Sequence, residues 1–383
     1  MVMKKRHCYD RQIIAVSFGD PLSHATFSGY SRHLFLAMQE ICEVEGGLSS
    51  RLLRITDIPS ACVDLTPLRR LERPIISPHW LWSPKTIQKL SRRLQKRLSR
   101  FDETIPVLQV GTHVYPVNTN RKFYCVTDMT VKQAVDNRCF RVSELKPEES
   151  EKAISVQKEM FDSHEKVFVL CEWTRSSVVN DYGCAPEKVI VVGAGANMPP
   201  LEPAENKYRS NQILFVGCDW VRKGGPLLLE AFAIVKRSIP DAKLNVVGCN
   251  PGAFGPGVNV FGILRKDKDS QMNTLRRLYS EANVFCILPE FDPFPNVLLE
   301  AQITSTPVVC LTGGSRADAV QRDVAGKLVE KHCARSVAAA IVEVLSNPEL
   351  AEQMGSAGKK AALERFVWPK VAERILSHVF VQQ

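Results

Sequence analysis

The chain has 383 residues, 45% of them hydrophobic and 24% charged, with a formal net charge of +9. That length exceeds one ordinary core and suits two domains, and the composition is that of a globular chain and argues against disorder. The basic balance favours anionic partners such as nucleotides, phosphates, nucleic acid or an acidic membrane face, without choosing among them.

The basic stretch 1–11 precedes an apolar run, 13–18, that is too short for the core of a signal peptide. No run reaches the ~20 apolar residues of a membrane span. The twelve cysteines are scattered singly, with no Cys-x-x-Cys pair. This argues against a zinc ribbon or a redox pair and for small buried hydrophobes with reduced thiols. A cytoplasmic protein is expected, with a peripheral place on the inner membrane face as an open alternative.

Short Val- and Ile-rich runs bounded by Gly, Pro or Asp predict buried parallel strands over 13–17, 107–110, 123–126, 166–170, 189–192, 212–216, 243–247, 284–288 and 307–311. Helical patterns cover 226–237, 273–282, 336–345 and 348–366, and a last helix opens at Pro369. The class is α/β. The segment 198–210, with Pro199, Pro200 and Pro203, reads as the hinge. The expected domains are 1–199, joined by 369–383, and 206–368.

From Thr86 to Phe101, Ile87, Leu90, Leu94, Leu98 and Phe101 keep helical spacing, while Lys89, Arg92, Arg93, Lys96, Arg97 and Arg100 intervene without an acid. Two readings stand. One is a basic amphipathic helix at an anionic membrane, aided by Trp80 and Trp82; the other is a packed helix with a solvated charged face.

Two motifs carry chemistry. In Phe215-Val216-Gly217-Cys218-Asp219-Trp220-Val221-Arg222-Lys223-Gly224-Gly225-Pro226, a strand gives way to a helix through glycines that let a ligand approach the backbone. Arg222 and Lys223 add fixed positive charge. In Pro289-Glu290-Phe291-Asp292-Pro293-Phe294-Pro295-Asn296-Val297-Leu298-Leu299-Glu300, a strand turns through prolines into a helix expected to be capped by Asn296. Its N-terminus suits an anion, and acids there can accept from sugar or ribose hydroxyls.

The second motif resembles the acid-x7-acid signature of family 4 retaining glycosyltransferases, and the first resembles that family's diphosphate-binding segment. The resemblance implies a GT-B fold, in which two Rossmann-like domains face each other across a cleft and the last helix crosses back onto the first domain. It implies that Glu300 holds the ribose and Asp292 contacts the sugar, with Phe294, Pro295, Asn296 and Val297 in the backbone between them. Lys223, Arg222 and Gly217 would then meet the diphosphate, and the base would lie against main chain at Ile263. Asp292 stands where the family more often has Glu, and Cys218 where it often has a basic residue.

In the first half, which matches more loosely, the small-residue loop Thr26-Phe27-Ser28-Gly29 is placed to face donor phosphates through Gly29. Asp128 is a candidate sugar or acceptor contact. Thr127 stands where the family often has His; His113 and His24 are the histidines that a fold might bring there instead.

No Gly-x4-Gly-Lys-Ser/Thr loop, no His-Glu-x2-His helix and no nucleic-acid module occurs in the sequence. The expectation is therefore a transferase moving sugar from a nucleotide-diphosphate donor to a carbohydrate or lipid-linked acceptor. Asp292, Lys223 and Asp128 are its catalytic candidates, with retention implied by the resemblance and no metal or other cofactor required. The alternatives are an inactive nucleotide- or partner-binding protein of the same fold, or an epimerase or phosphorylase on the same plan.

Overall fold

A computed structural model describes residues 11–24, 26–50, 63–64, 75–76, 82–139, 145–250, 252 and 255–380. The chain divides into two compact units, Met1–Gly193 with Val371–Gln383, and Ala194–Lys370. The division falls just ahead of the proline-rich segment expected as the hinge. The reason is local: Ala196 N–H donates to Phe366 O at 2.9 Å, and Gly195 lies so close to Trp368 that a Cβ would sit 2.5 Å from its ring.

The first unit contains β1 (Gln12–Ser17), α1 (Tyr30–Met38), β2 (Glu43–Ser49), β3 (Val63–Asp64), β4 (Ile75–Ile76), α2 (Pro84–Leu98), β5 (Val107–Val110), β6 (Phe123–Thr127), α3 (Val131–Asp136), α4 (Pro147–Ser163), β7 (Lys166–Val169), α5 (Glu172–Asn180) and β8 (Val189–Val191). Six of these strands form a parallel sheet in the order β2-β1-β5-β6-β7-β8, while β3 and β4 pair separately and antiparallel.

The second unit contains β9 (Gln212–Val216), α6 (Gly225–Ser238), β10 (Lys243–Val247), β11 (Val258–Gly262), α7 (Asp269–Glu281), β12 (Val284–Ile287), α8 (Asn296–Ile303), β13 (Val308–Leu311), α9 (Arg316–Ala319), β14 (Gly326–Val329), α10 (Ala334–Leu345) and α11 (Pro348–Arg365). Its parallel sheet runs β11-β10-β9-β12-β13-β14. The last helix, α12 (Trp368–Val379), starts in this unit, and its residues from Val371 belong to the first.

Every predicted strand is present to within a residue or so. The strands missing from the sequence reading, β2, β11 and β14 of the two six-stranded sheets and the separate pair β3 and β4, are all sheet edges. An edge strand is covered incompletely and need not be a continuous apolar run. Thus β2 reads Glu-Val-Glu-Gly-Gly-Leu-Ser and is mostly exposed, whereas β12 is buried throughout.

Helix α2 resolves the two readings of the basic segment. Ser83 caps it, accepting from Thr86 N–H at 3.2 Å, and Pro84 takes the first turn. Leu90, Leu94 and Leu98 pack into a core with Ile14, Val16, Val107 and Phe123, and Ile87 meets Val156 and Met160. The apolar stripe is therefore used inside the first unit and leaves no face to insert into a bilayer. Trp80, the other proposed anchor, lies outside the described residues.

Eight of the ten described cysteines are buried, and all ten are free thiols. No helix among the described residues is long and apolar enough to cross a membrane.

Candidate active site

Strand order in the second sheet reverses between β9 and β12: from β9 the order proceeds outward to β10 and β11, and from β12 the other way to β13 and β14. At such a switch point the loops at the carboxyl ends of the two strands diverge and leave a crevice. Both sequence motifs emerge there, Gly217 directly after β9 and Leu288 directly after β12.

The two loops are locked together. Leu288 N–H donates to Lys223 O at 3.0 Å. Gly224 adopts φ +75°, and a Cβ there would lie 2.1 Å from Leu288 O, so both the backbone conformation and the space require glycine. A Cβ on Gly217 would lie 3.0 Å from the Lys223 side chain, which places that glycine under the lysine.

The charged groups converge on one carboxylate. Lys223 Nζ donates to Asp292 Oδ2, and Arg222 Nη1 reaches the same oxygen at 3.3 Å. Asp292 is 6% exposed, so its charge is carried by these two cations in a partly dehydrated place, where their attraction is strong. Arg222 also meets Asp219 at 3.4 Å, and Ser315 Oγ donates to Asp292 O at 3.4 Å.

The helix after Asp292 differs from the expectation in one detail. Asn296 is the first helical residue and not the cap; Pro295, in extended conformation, holds the cap position without a side-chain acceptor. Phe294 and Pro295 are buried beneath this turn, and Val297 is half-buried. The first N–H groups of α8 therefore lack an internal cap. Asn296 Oδ1 is buried with no hydrogen-bond partner among the described residues.

Glu300, one turn further, is buried, and both of its carboxylate oxygens are engaged. Lys266 Nζ donates to Oε1, and the Tyr279 hydroxyl donates to Oε2 at 3.1 Å. Burial, reinforced by the Glu300 charge, pushes the Tyr279 phenol far above its usual range and keeps it a donor. A carboxylate accepts about four hydrogen bonds, so these two leave part of its acceptor capacity unused. Neither Lys266 nor Tyr279 was singled out from sequence. Lys266 lies in the charged run 265–268, where nothing in the spacing ties it to Glu300; β11 and its following loop bring it there. Ile263, in that loop, is 69% exposed.

Lys223, Arg222, Gly217, Asp292, Phe294, Pro295, Asn296, Val297, Ile263 and Glu300 thus all belong to loops or the first two helical turns at the carboxyl edge of one sheet. Gly29 and Asp128 belong to the first unit. Gly29, at φ +84°, caps α1, and Asp128 follows β6, its carbonyl accepting from Thr174 Oγ1 at 2.7 Å. Asp128 acts on Tyr30, the residue after Gly29: burial raises the Tyr30 phenol strongly, the Asp128 charge adds to the rise, and Arg374 of α12 opposes it. Thr127 turns back to donate to Met129 O at 2.7 Å.

A D-inositol 3-phosphate glycosyltransferase from Thermobispora bispora is 27% identical over 217 residues, covering 51% of this chain and 50% of that protein. Its counterpart from Segniliparus rotundus is 30% identical, over 51% and 47%. An MMP alpha-(1->4)-mannosyltransferase from Mycolicibacterium hassiacum is 24% identical, over 58% and 56%. The chain thus spans about half the length of these curated relatives. Among solved structures, sucrose-phosphate synthase from Thermosynechococcus elongatus superposes with a TM-score of 0.71 at 19% identity, covering 97% of this chain and all of the other. Anabaena HepE in complex with UDP and glucose gives 0.61 at 12% identity, over 96% and 99%. The fold is therefore GT-B, and residues 201–361, within the second unit, match the family model described as Glycosyl transferases group 1.

Proposed function

We propose that the protein is a glycosyltransferase that binds a nucleotide-diphosphate sugar at the β9/β12 crevice of the second unit and passes the sugar to a hydroxyl acceptor. The observation that carries this reading is the convergence of Lys223 and Arg222 on Asp292 at the switch point, with Glu300 one helical turn into α8. The match of this unit to Glycosyl transferases group 1 and the names of the curated relatives support it.

The chemistry follows from charge. Breaking the bond to the anomeric carbon leaves new negative charge on the diphosphate and cationic character on the sugar. Lys223, Arg222 and the uncapped N–H groups of α8 would hold the diphosphate, each well-placed donor contributing ~3–4 kcal/mol to the transition state. The arriving phosphates would compete with Asp292 for the two cations, releasing that carboxylate toward a sugar hydroxyl. Glu300, already oriented by Lys266 and Tyr279, would accept from the ribose. Two side-chain cations supply the countercharge, so the reading calls on no metal.

Retention of configuration, with the leaving phosphate helping to deprotonate the acceptor, belongs to the same proposal and rests on family likeness. The acceptor class is a carbohydrate, a polyol or a lipid-linked glycan. A peripheral membrane contact, if made through α2, would use only its basic face.

Calorimetric titration with UDP and GDP, followed by donor turnover with the matching nucleotide-sugars, tests the reading. Micromolar binding that Lys223→Ala weakens at least tenfold is expected. Absence of both binding and turnover would sink it.

A further inference from the structure

The first sheet has a switch point of its own. From β1 the order leads to β2 on one side and β5 on the other, and the loops after β1 and β5 diverge there. An aromatic group gathers at their ends. The His113 ring, just after β5, stacks on Phe18 at 4.4 Å between centroids, with Trp82 at 5.8 Å and Phe27 at 6.4 Å. All four rings are partly exposed, unlike the aromatic side chains of the core.

The backbone is bent to build this group. Phe27 and Ser28 both adopt left-handed conformations, φ +47° and +53°, which are strained for non-glycine residues. Gly111, at φ +95°, leaves room where a Cβ would lie 2.7 Å from Phe27 and 2.9 Å from His113 Nδ1. Strain of this kind persists where surrounding structure enforces it, and it gathers at sites of function.

The two nitrogens of His113 differ. Nδ1 is buried and has no hydrogen-bond partner among the described residues. Burial also lowers the imidazole to about 4, so the ring is neutral at pH 7. A buried N–H without an acceptor costs more than a buried lone pair, so the proton belongs on Nε2, at the ring edge that reaches the surface. The ring is then a fixed donor and cannot serve as a base through Nε2.

We propose that the carboxyl ends of β1 and β5 carry a carbohydrate subsite, in which His113 Nε2–H donates to a sugar hydroxyl oxygen while Phe18, Phe27 and Trp82 receive the apolar face of the ring. Sugar rings pair an apolar C–H face with hydroxyls, and a partly exposed group of aromatic rings with one fixed donor matches both. Use of the subsite for an acceptor rests on the glycosyl-transfer reading; sugar binding itself does not.

Saturation-transfer NMR with methyl α-D-mannopyranoside, methyl α-D-glucopyranoside and myo-inositol tests it on the full chain. At least one probe should receive saturation from the wild type. His113→Ala and Trp82→Ala should each cut that signal fivefold or more, and His113→Gln, which keeps a donor near the same point, should retain over half. Imidazole ¹⁵N shifts should report the neutral Nε2–H tautomer at pH 7. No transfer from any probe, a loss under twofold in His113→Ala, or the Nδ1–H tautomer would each overturn the subsite. UDP and GDP titration of the same variants separates the two proposals: unchanged nucleotide binding shows an intact second unit, and a wild type that binds sugar but no nucleotide overturns the preceding reading alone.

Discussion

At the scale of single residues, the function proposed for the second unit rests on two buried carboxylates and the cations that face them. Lys223 is one of the two cations ion-paired with Asp292 and is joined through its backbone to the end of β12. Lys223→Ala should lower kcat by about 10²- to 10³-fold, the loss that follows removal of one preorganised donor. Circular dichroism should be unchanged, because the lysine's main-chain bond to Leu288 survives the substitution. Glu300→Gln keeps the shape but loses charge beside Lys266. Nucleotide affinity should fall about tenfold or more, consistent with roughly 1.5–3 kcal/mol for a hydrogen bond to a charged acceptor, and calorimetry measures it directly. The legible part at this scale was the acid spacing and the Arg222-Lys223 pair, since both lie in short stretches of chain. The partners of Glu300 were not legible: Lys266 and Tyr279 come from a different loop and a different helix, and their meeting depends on how the sheet stacks those elements.

At the scale of elements, the close fit between the β9 and β12 loops is the weak point of the site. Gly224→Ala adds left-handed strain of roughly 1–2 kcal/mol and places a methyl on Leu288 O. It should lower the melting temperature and weaken nucleotide binding together, whereas Lys223→Ala should affect only the latter. Helix α2 makes the opposite case. Its apolar stripe is consumed by the core, and Lys85, Gln88, Lys89, Arg92, Arg93 and Lys96 line a shallow groove of about 380 Å³ on the other face. Reversing Lys89, Arg92 and Lys96 to Glu should leave melting nearly unchanged. It should abolish any salt-sensitive binding to vesicles of anionic lipid, as co-sedimentation at low and high salt would reveal. Periodicity made α2 visible as a helix, but periodicity alone cannot say whether an apolar stripe meets a core or a bilayer.

At the scale of the whole molecule, a buried lysine braces the second unit behind the site. Lys207 Nζ donates to Tyr279 O at 2.9 Å, Thr304 O at 2.7 Å and Thr306 Oγ1 at 2.8 Å, drawing the ends of α7 and α8 together. Burial, with the charge of Lys359 second, lowers Lys207 to about 7. The unfolded chain holds that proton up to about pH 10.5, so between pH 7 and 10.5 it binds more protons than the folded protein. Stability should therefore rise with pH across that window and gain nothing from this group below it. The melting temperature of the wild type should climb from pH 7 to pH 9 relative to Lys207→Met. Parallel curves for the two proteins would refute the shift. The sequence by itself determined the α/β class, the central strands, the two-part division and the stretches that carry the acids and cations of the proposed donor site, because each is written in local periodicity or in a few adjacent residues. Only the tertiary structure decided which edge strands complete the sheets, which side of α2 is buried, which residues seat Glu300, and that His113 lies among three aromatic rings. Those outcomes depend on contacts between segments far apart in the chain, and no local pattern encodes a contact whose two halves are selected separately.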